Sequence, residues 1–334
     1  MLPLLRATTM TARPVSAAAA TRLSTVARHL STSAPVHREI QKLTVFGAGL
    51  MGAGIAQVGA QSGMKVVLAD VTQKALDNGL TIISKSLSRV AKKKSPDDIE
   101  GFTSEILKNI STTTDAAEAV EDADLVVEAI IESIKVKRDL FGFLDGKAKA
   151  DCIFATNTSS LSVTEIAEAC SPERQANFAG LHFFNPVPAM KLVEVIKTSS
   201  TSPATFDALR EATIRMGKSP VTCTDTPGFI VNRLLVPYLL EAARMVERGD
   251  ATAEDIDTAM TLGAGYPMGP FKLLDFVGLD TTSYIAEGWR EKAKEADIPE
   301  GLVAPIPVIE KLVKEGKLGR KSGEGFYKYD QEKK

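Results

Sequence analysis

The stretch KLTVFGAGLMGAGIAQVGAQSGMKVVLAD, residues 42–70, constrains the fold more than any other part of the chain. An apolar run of strand length, Lys42–Phe46, meets a turn rich in glycine. A helical run follows and stops at Gly63. A second strand, Lys65–Asp70, then ends in an acid. Strand, glycine turn, helix and strand within about thirty residues is the unit that starts a parallel sheet.

Each glycine of the turn has its own reason. Gly47 permits the tight turn, Gly49 lets the backbone approach a pyrophosphate, and Gly52 lets helix and strand pack closely. The helix start offers unpaired N–H groups and a positive dipole end to phosphates. Asp70 can accept hydrogen bonds from ribose hydroxyls and would repel a 2′-phosphate. The pattern therefore leads us to expect NAD, not NADP, as cofactor. The alternative is a glycine-rich turn that holds no nucleotide.

The alternation continues. Residues 74–94 predict an amphipathic helix with Leu76, Leu80, Ile83, Leu87 and Val90 on one face, ending in Lys92, Lys93 and Lys94. Those lysines either complement the helix dipole or contact an anionic substrate handle. Asp124–Ile130 reads as a buried strand, with Glu132 and a helix to about Lys149 beyond it. Cys152–Thr156 is a further strand that opens into NTSSL, and Ser162 with Glu165 has capping-box spacing. Asn157 to Ser160 therefore lie past a strand's carboxyl end, where open parallel sheets bind ligands. Ser159 is the better ligand candidate there; a polar cap alone accounts for Ser160 or Ser162.

Histidine is scarce. Of three, His29 and His37 lie in a leader, and the third is His182 in GLHFFNPVPAMKLVEVIK. Phe178–Phe184 and Lys191–Thr198 both read as strands, with a reversal between them. Antiparallel pairing about Pro188 sets His182 opposite Glu194, within contact distance. A carboxylate on one ring nitrogen fixes the tautomer and leaves the other nitrogen as a base. Oxidation of an alcohol with a nicotinamide needs such a base. The bland alternative is a core histidine satisfied by a structural glutamate.

From Thr224 to Asp250 the spacing predicts a helix with Thr226 as cap, Pro227 at its first position and Gly249 at its stop. Its apolar stripe is Phe229, Leu235, Leu239, Ala242 and Val246, with Asn232 turned to the same side. Helices are expected over 252–262, 278–294 and 307–315, and a glycine-rich turn closes the chain. The expected class is thus an α/β Rossmann-type dinucleotide-binding domain over residues 39–225, followed by an all-α substrate and dimerisation domain over 226–334.

Residues 1–38 stand apart. They carry Arg6, Arg13, Arg22, Arg28 and Arg38, many Ser, Thr and Ala, and no acid before Glu39. That composition describes a mitochondrial transit peptide; the alternative is a disordered tail. The formal charge of −2 gives no reason to expect nucleic acid. No apolar run reaches the length of about 20 residues that crosses a bilayer, so no membrane insertion is expected. Cys152, Cys170 and Cys223 lack metal-ligand spacing, so no metal is expected.

Several stretches together resemble one family. KLTVFGAGLMGAGIAQ, VVEAIIESIKVK, NTSSL, GLHFFNPVPAMKLVEVIKT, DTPGFIVNRLLVPYL, DTAMTLGAGYPMGPF and RKSGEGFYKY are similar to the L-3-hydroxyacyl-CoA dehydrogenases, the mitochondrial short-chain enzymes of fatty-acid β-oxidation above all. The resemblance implies that His182 is the base and Glu194 its partner. It implies Ser159, Asn185 and Asn232 around substrate and nicotinamide. Around NAD it implies Gly47, Ala48, Gly49, Leu50, Met51, Gly52, Asp70, Glu132, Lys137 and Lys321. Ser86, Lys93 and Ser159 would meet the CoA. A homodimer joined through the helical domain and a place in the mitochondrial matrix are implied as well. The rivals are a biosynthetic 3-hydroxybutyryl-CoA dehydrogenase and a non-catalytic, crystallin-like NAD-binding protein.

Overall fold

The structure is a computed structural model that describes residues 39–291, 293 and 298–329. The arginine-bearing leader, with His29 and His37, lies outside the described residues, as does the end of the helix expected over 278–294.

The glycine unit forms as its sequence dictates. Strand β1 (Lys42–Phe46) runs into the turn and helix α1 (Leu50–Gln61), and β2 (Lys65–Ala69) follows. Helices α2 (Gln73–Lys94) and α3 (Ile99–Leu107) lead to β3 (Ile110–Thr113), then α4 (Ala116–Val120) to β4 (Leu125–Glu128). Helix α5 (Ile134–Asp145) leads to β5 (Ile153–Thr156), and α6 (Val163–Ala167) and α7 (Pro172–Gln175) to β6 (Phe178–Phe183). The sheet ends with β7 (Leu192–Lys197), α8 (Pro203–Arg215) and β8 (Ser219–Thr224).

The eight strands lie in the order β3-β2-β1-β4-β5-β6-β7-β8. Neighbours pair parallel except β6 with β7, which are antiparallel. Strands β4, β5 and β6 are buried along their whole length. This is why they read as unbroken apolar runs and not as alternating ones. The chain builds outward from β1 in one direction through β2 and β3, then returns to β1's other side with β4. Such a reversal opens a crevice at the carboxyl ends of β1 and β4.

Helix α2 buries Leu76, Gly79, Ile83, Leu87 and Ala91, while Leu80 and Val90 are only half-buried. The stripe is rotated from the expected one because Gly79 lets the helix lie close on Ala48 and Leu68.

A helical part follows: α9 (Val231–Arg248), α10 (Ala253–Gly263), α11 (Pro270–Val277), α12 (Leu279–Glu291) and α13 (Pro307–Lys314). The expected start of α9 at Thr226 and Pro227 is wrong by about a turn. Gly228 and Phe229 adopt positive φ, +81° and +53°, and no helix continues through them. The buried stripe is accordingly Val236, Leu239, Leu240, Ala242 and Ala243, without Leu235 and Val246. The stop at Gly249 is as expected, with φ +74°. Helix α11 was not expected. Pro270 opens it, and the buried Asp257 carboxylate accepts from the N–H groups of Phe271 and Lys272 at its start.

Candidate active site

The three glycines of the turn meet three different surroundings. Gly47 has φ +98°, and a Cβ there would lie 2.5 Å from the Ala129 carbonyl oxygen. A Cβ on Gly52 would lie 1.7 Å from the Gly47 carbonyl oxygen, so α1 closes on the turn only without a side chain. Gly49 has nothing within 4 Å of where a Cβ would stand. Its backbone is open to a ligand. Helix α1 starts beside it with no side-chain cap and no acid in its first turn. That combination leaves positive potential for an anion.

Ala48 N donates to Asp70 Oδ2 at 2.7 Å, and Val71 N donates to Oδ1 at 2.7 Å. The carboxylate is thereby fixed at the end of β2, beside the turn. A cleft of about 770 Å³ opens there. Gly47, Gly49, Leu50, Met51 and Asp70 line it, with Val71, Ile130, Ile131 and Val136 as apolar walls. Asp139 lines it too, paired with Lys135. Apolar walls, an open glycine backbone and the Asp70 carboxylate suit a nucleoside joined to a pyrophosphate.

The β6–β7 register brings the lone described histidine to its acid. His182 pairs with Glu194 in the ladder, and Nδ1 lies 2.7 Å from Glu194 Oε2. Glu194 is fully buried and His182 is 5% exposed. The imidazole packs against two aromatic rings, Phe184 at 4.5 Å and Phe229 at 5.6 Å between centroids. Because β6 runs parallel to β5 and β4, His182 stands at the same sheet edge as the glycine turn. The second oxygen of Glu194 accepts from Ile230 N and Val231 N at 3.0 and 2.9 Å. It caps α9, two residues before Asn232. Asn232 Nδ2 in turn donates to the Ser159 carbonyl at 3.3 Å.

Glu132 organises the loop after β5. Its Oε1 accepts from Thr158 Oγ1 at 2.5 Å, from Ser159 N at 3.0 Å and from Ser160 N at 3.2 Å. Burial pushes this carboxyl up, but the Lys137 ammonium, the Thr158 hydroxyl and the Ser159 N–H outweigh it and hold it below the usual range. Lys137 is itself buried, 2.6 Å from Glu128 and 3.2 Å from Glu132. Glu128 also accepts from Thr156 Oγ1 at 2.7 Å. Glu128 is a functional residue beyond those expected from the sequence, and its one signal there is a carboxylate inside an otherwise apolar strand.

Residues 42–226 match the family model described as 3-hydroxyacyl-CoA dehydrogenase, NAD binding domain. Residues 228–329 match the one described as 3-hydroxyacyl-CoA dehydrogenase, C-terminal domain. The chain belongs to the 3-hydroxyacyl-CoA dehydrogenase family. It is 58% identical over 293 residues to the mitochondrial hydroxyacyl-coenzyme A dehydrogenase of Homo sapiens, covering 87% of this chain and 91% of that one. It is 46% identical over 288 residues to a probable 3-hydroxybutyryl-CoA dehydrogenase of Deinococcus radiodurans, covering 86% and 100%. Among solved structures, the (S)-3-hydroxybutyryl-CoA dehydrogenase of Ralstonia eutropha superposes with a TM-score of 0.81 at 36% identity, covering 88% of this chain and 100% of that one.

As a member of this family the chain is an NAD-dependent oxidoreductase, and NAD is its cofactor. Among the described residues no helix is long and apolar enough to cross a membrane. The remaining dehydrogenase site candidates are less gathered. Asn185 is exposed in the loop after β6. Ser86 and Lys93 lie on α2, half-buried and exposed. Lys137 is committed to its two carboxylates inside the fold and not presented on the surface. Lys321 does not line the cleft; its ammonium pairs with Asp280 at 2.6 Å in the helical part.

Proposed function

We propose that the chain interconverts (S)-3-hydroxyacyl-CoA and 3-oxoacyl-CoA with NAD, using His182 as acid and base and Glu194 as its orienting partner. The observation that carries this reading is the buried 2.7 Å contact between His182 Nδ1 and Glu194. With Nδ1 committed to the carboxylate, Nε2 is the nitrogen free to take a proton. In the oxidation direction it accepts the hydroxyl proton of the substrate. In reduction the protonated ring returns it to the forming alkoxide oxygen, and Glu194 stabilises the imidazolium between the two events. When bound, NAD supplies the hydride acceptor. Ser159 and Asn232 hold the substrate oxygens. Phe184 and Phe229 keep the ring in place and restrict water around it.

Gly47, Ala48, Gly49, Leu50, Met51, Gly52 and Asp70 hold the pyrophosphate and adenosine, and Glu132 with Lys137 shapes the loop that carries Ser159. The assignment of Asn185 and Lys321 to NAD, and of Ser86 and Lys93 to CoA, rests on family likeness alone. Residues 1–38 act as a transit peptide, 39–225 as the NAD-binding domain and 226–334 as the substrate and dimerisation domain. The setting is the mitochondrial matrix. A homodimer through the helical domain is supported by large apolar side chains exposed there, among them Leu234, Leu262 and Tyr284. Higher identity to mitochondrial relatives than to 3-hydroxybutyryl-CoA dehydrogenases favours the degradative role.

The test is NADH consumption with acetoacetyl-CoA, run beside NADPH. Turnover with NADH and little with NADPH supports the reading. A folded, NADH-binding protein that turns over no 3-oxoacyl-CoA of any length would refute it, and favour the non-catalytic alternative.

A further inference from the structure

Lys218 is a lysine inside the fold that, among the described residues, pairs with no carboxylate. It stands between α8 and β8 and is 7% exposed. Its ammonium donates to two backbone carbonyls, those of Val187 and of Met190, the latter at 2.8 Å. Both carbonyls belong to the loop that joins β6 to β7, the strands of His182 and Glu194. A buried ammonium without an anion is uncommon, because the desolvation cost is not repaid by an ion pair. Here the return, among the described residues, is the grip on that loop.

The loop has a second seat. Val187 is buried, and a Cβ on Gly54 of α1 would lie 2.7 Å from the Val187 Cβ and 3.5 Å from Pro188 Cδ. The loop therefore lies directly on the helix whose N-terminus faces the nucleotide cleft. Lys218 holds the same stretch through the Val187 and Met190 carbonyls. The seated residues 187–190 lie between the end of β6 at Phe183 and the start of β7 at Leu192.

We propose that Lys218 is a positioning residue for the reaction, a clamp whose ammonium holds the β6–β7 loop against α1 and so fixes His182 relative to the nucleotide cleft. The inference rests on the catalytic reading of His182 given above. Charge makes the clamp sensitive to pH. Burial, and then the neighbouring Lys191, bring the Lys218 ammonium down to about 8 from 10.5. Lys191 itself donates to the Gly217 carbonyl. Arg215, the nearest cation on α8, is engaged by the Ile40 and Ser62 carbonyls and by Gln41. Above about pH 8 the ammonium is lost and its hold on the two carbonyls weakens. The global fold responds with the opposite sign. The unfolded chain keeps its proton up to about pH 10.4, so this lysine's own contribution to folding rises with pH across that window. Turnover and stability should therefore diverge.

The experiment compares the full chain with Lys218→Met and Lys218→Arg. Acetoacetyl-CoA turnover is followed from pH 7 to pH 10, and amide exchange is measured along residues 184–191. Dividing the wild-type kcat by that of Lys218→Met cancels every other titration. The expected ratio is about 10 at pH 7, since a misplaced catalytic group costs one to two orders of magnitude, and it falls toward about 2 by pH 10. KM should stay within about twofold, Lys218→Arg should recover much of kcat, and exchange should quicken only in the loop. A ratio near 1 at all pH values would overturn the proposal. So would a pH-independent ratio with faster exchange across the whole chain, because that describes a structural residue. If wild type itself shows no turnover, the catalytic reading fails on its own. The exchange data then still decide whether Lys218 holds the loop.

Discussion

Glu194 gives one carboxylate oxygen to His182 and the other to the start of α9. The first contact is 2.7 Å, and the second is a pair of backbone N–H groups at 3.0 and 2.9 Å. One buried acid thus sets both the imidazole and the helix that carries Asn232. The histidine stands near the end of the sheet-bearing half and the asparagine near the start of the helical half, and this carboxylate is their shared anchor.

Glu194→Gln keeps one accepting oxygen for the Ile230 and Val231 N–H groups, but its NH2 then faces His182 Nδ1. The ring answers by carrying its proton on Nε2, the tautomer that has no free nitrogen for the substrate proton. We expect kcat to fall by about 100-fold. Glu194→Ala also uncaps α9 and should in addition lose about 1–3 kcal/mol of stability through the unsatisfied buried donors. Steady-state kinetics and urea unfolding check both. Unchanged stability in Glu194→Ala would remove the capping half of the account.

Gly52→Ala places a methyl 1.7 Å from the Gly47 carbonyl oxygen if nothing moves. The glycine turn must open, so NADH affinity should drop by about tenfold or more and stability by about 1–3 kcal/mol. Fluorescence titration with NADH is the direct readout. Wild-type affinity would mean that the turn is not where the cofactor seats.

Acid should cost the protein the stability that it draws from the Glu132 network under the loop of Ser159. Glu132 is held below its ordinary range of 4.5, with Lys137 and the Thr158 and Ser159 donors outweighing burial. A depressed carboxylate lends stability that is full above its unfolded value and is lost as pH falls through the lowered one. As pH falls below about 4.5, wild type should therefore lose more stability than Glu132→Gln. Melting curves of the two at pH 6 and pH 3 measure this. Equal acid sensitivity would mean that the Glu132 network contributes nothing to stability.

The thiols should be inert. Burial pushes Cys170 up to about 12, and burial with the nearby Glu194 and Asp225 charges pushes Cys223 up to about 12. Almost no thiolate is present at neutral pH. Iodoacetamide on native protein at pH 7.5 should leave activity intact over hours and label both residues only on denaturation. Rapid inactivation with Cys223 modified would place a reactive group next to Glu194 that the geometry does not predict.

What was legible in the sequence was whatever depends on local chemistry. The glycine turn reads directly, because the close approach of Gly52 to Gly47 forbids side chains. The facing of His182 and Glu194 follows from counting residues about Pro188, and the ladder has that register. Long-range capping was not legible. Thr226 and Pro227 make a good local cap, and local chemistry alone points to a start of α9 there. The actual start at Val231 is set by a carboxylate from another strand and by positive φ at Gly228 and Phe229. Helix α11 has no local start signal for the same reason, its cap being Asp257 from the helix before. Lys218 carries no local signal at all. A lysine ahead of a strand looks solvated until the loop it grips is folded over it.

The central claim is that His182 moves the proton. The measurement is acetoacetyl-CoA reduction by wild type and His182→Gln, with NADH binding measured on the same samples. The account predicts NADH affinity within about twofold and a fall in kcat of about 100-fold or more, the range of a lost general acid. A variant that binds NADH and keeps more than about half of the wild-type kcat would contradict it.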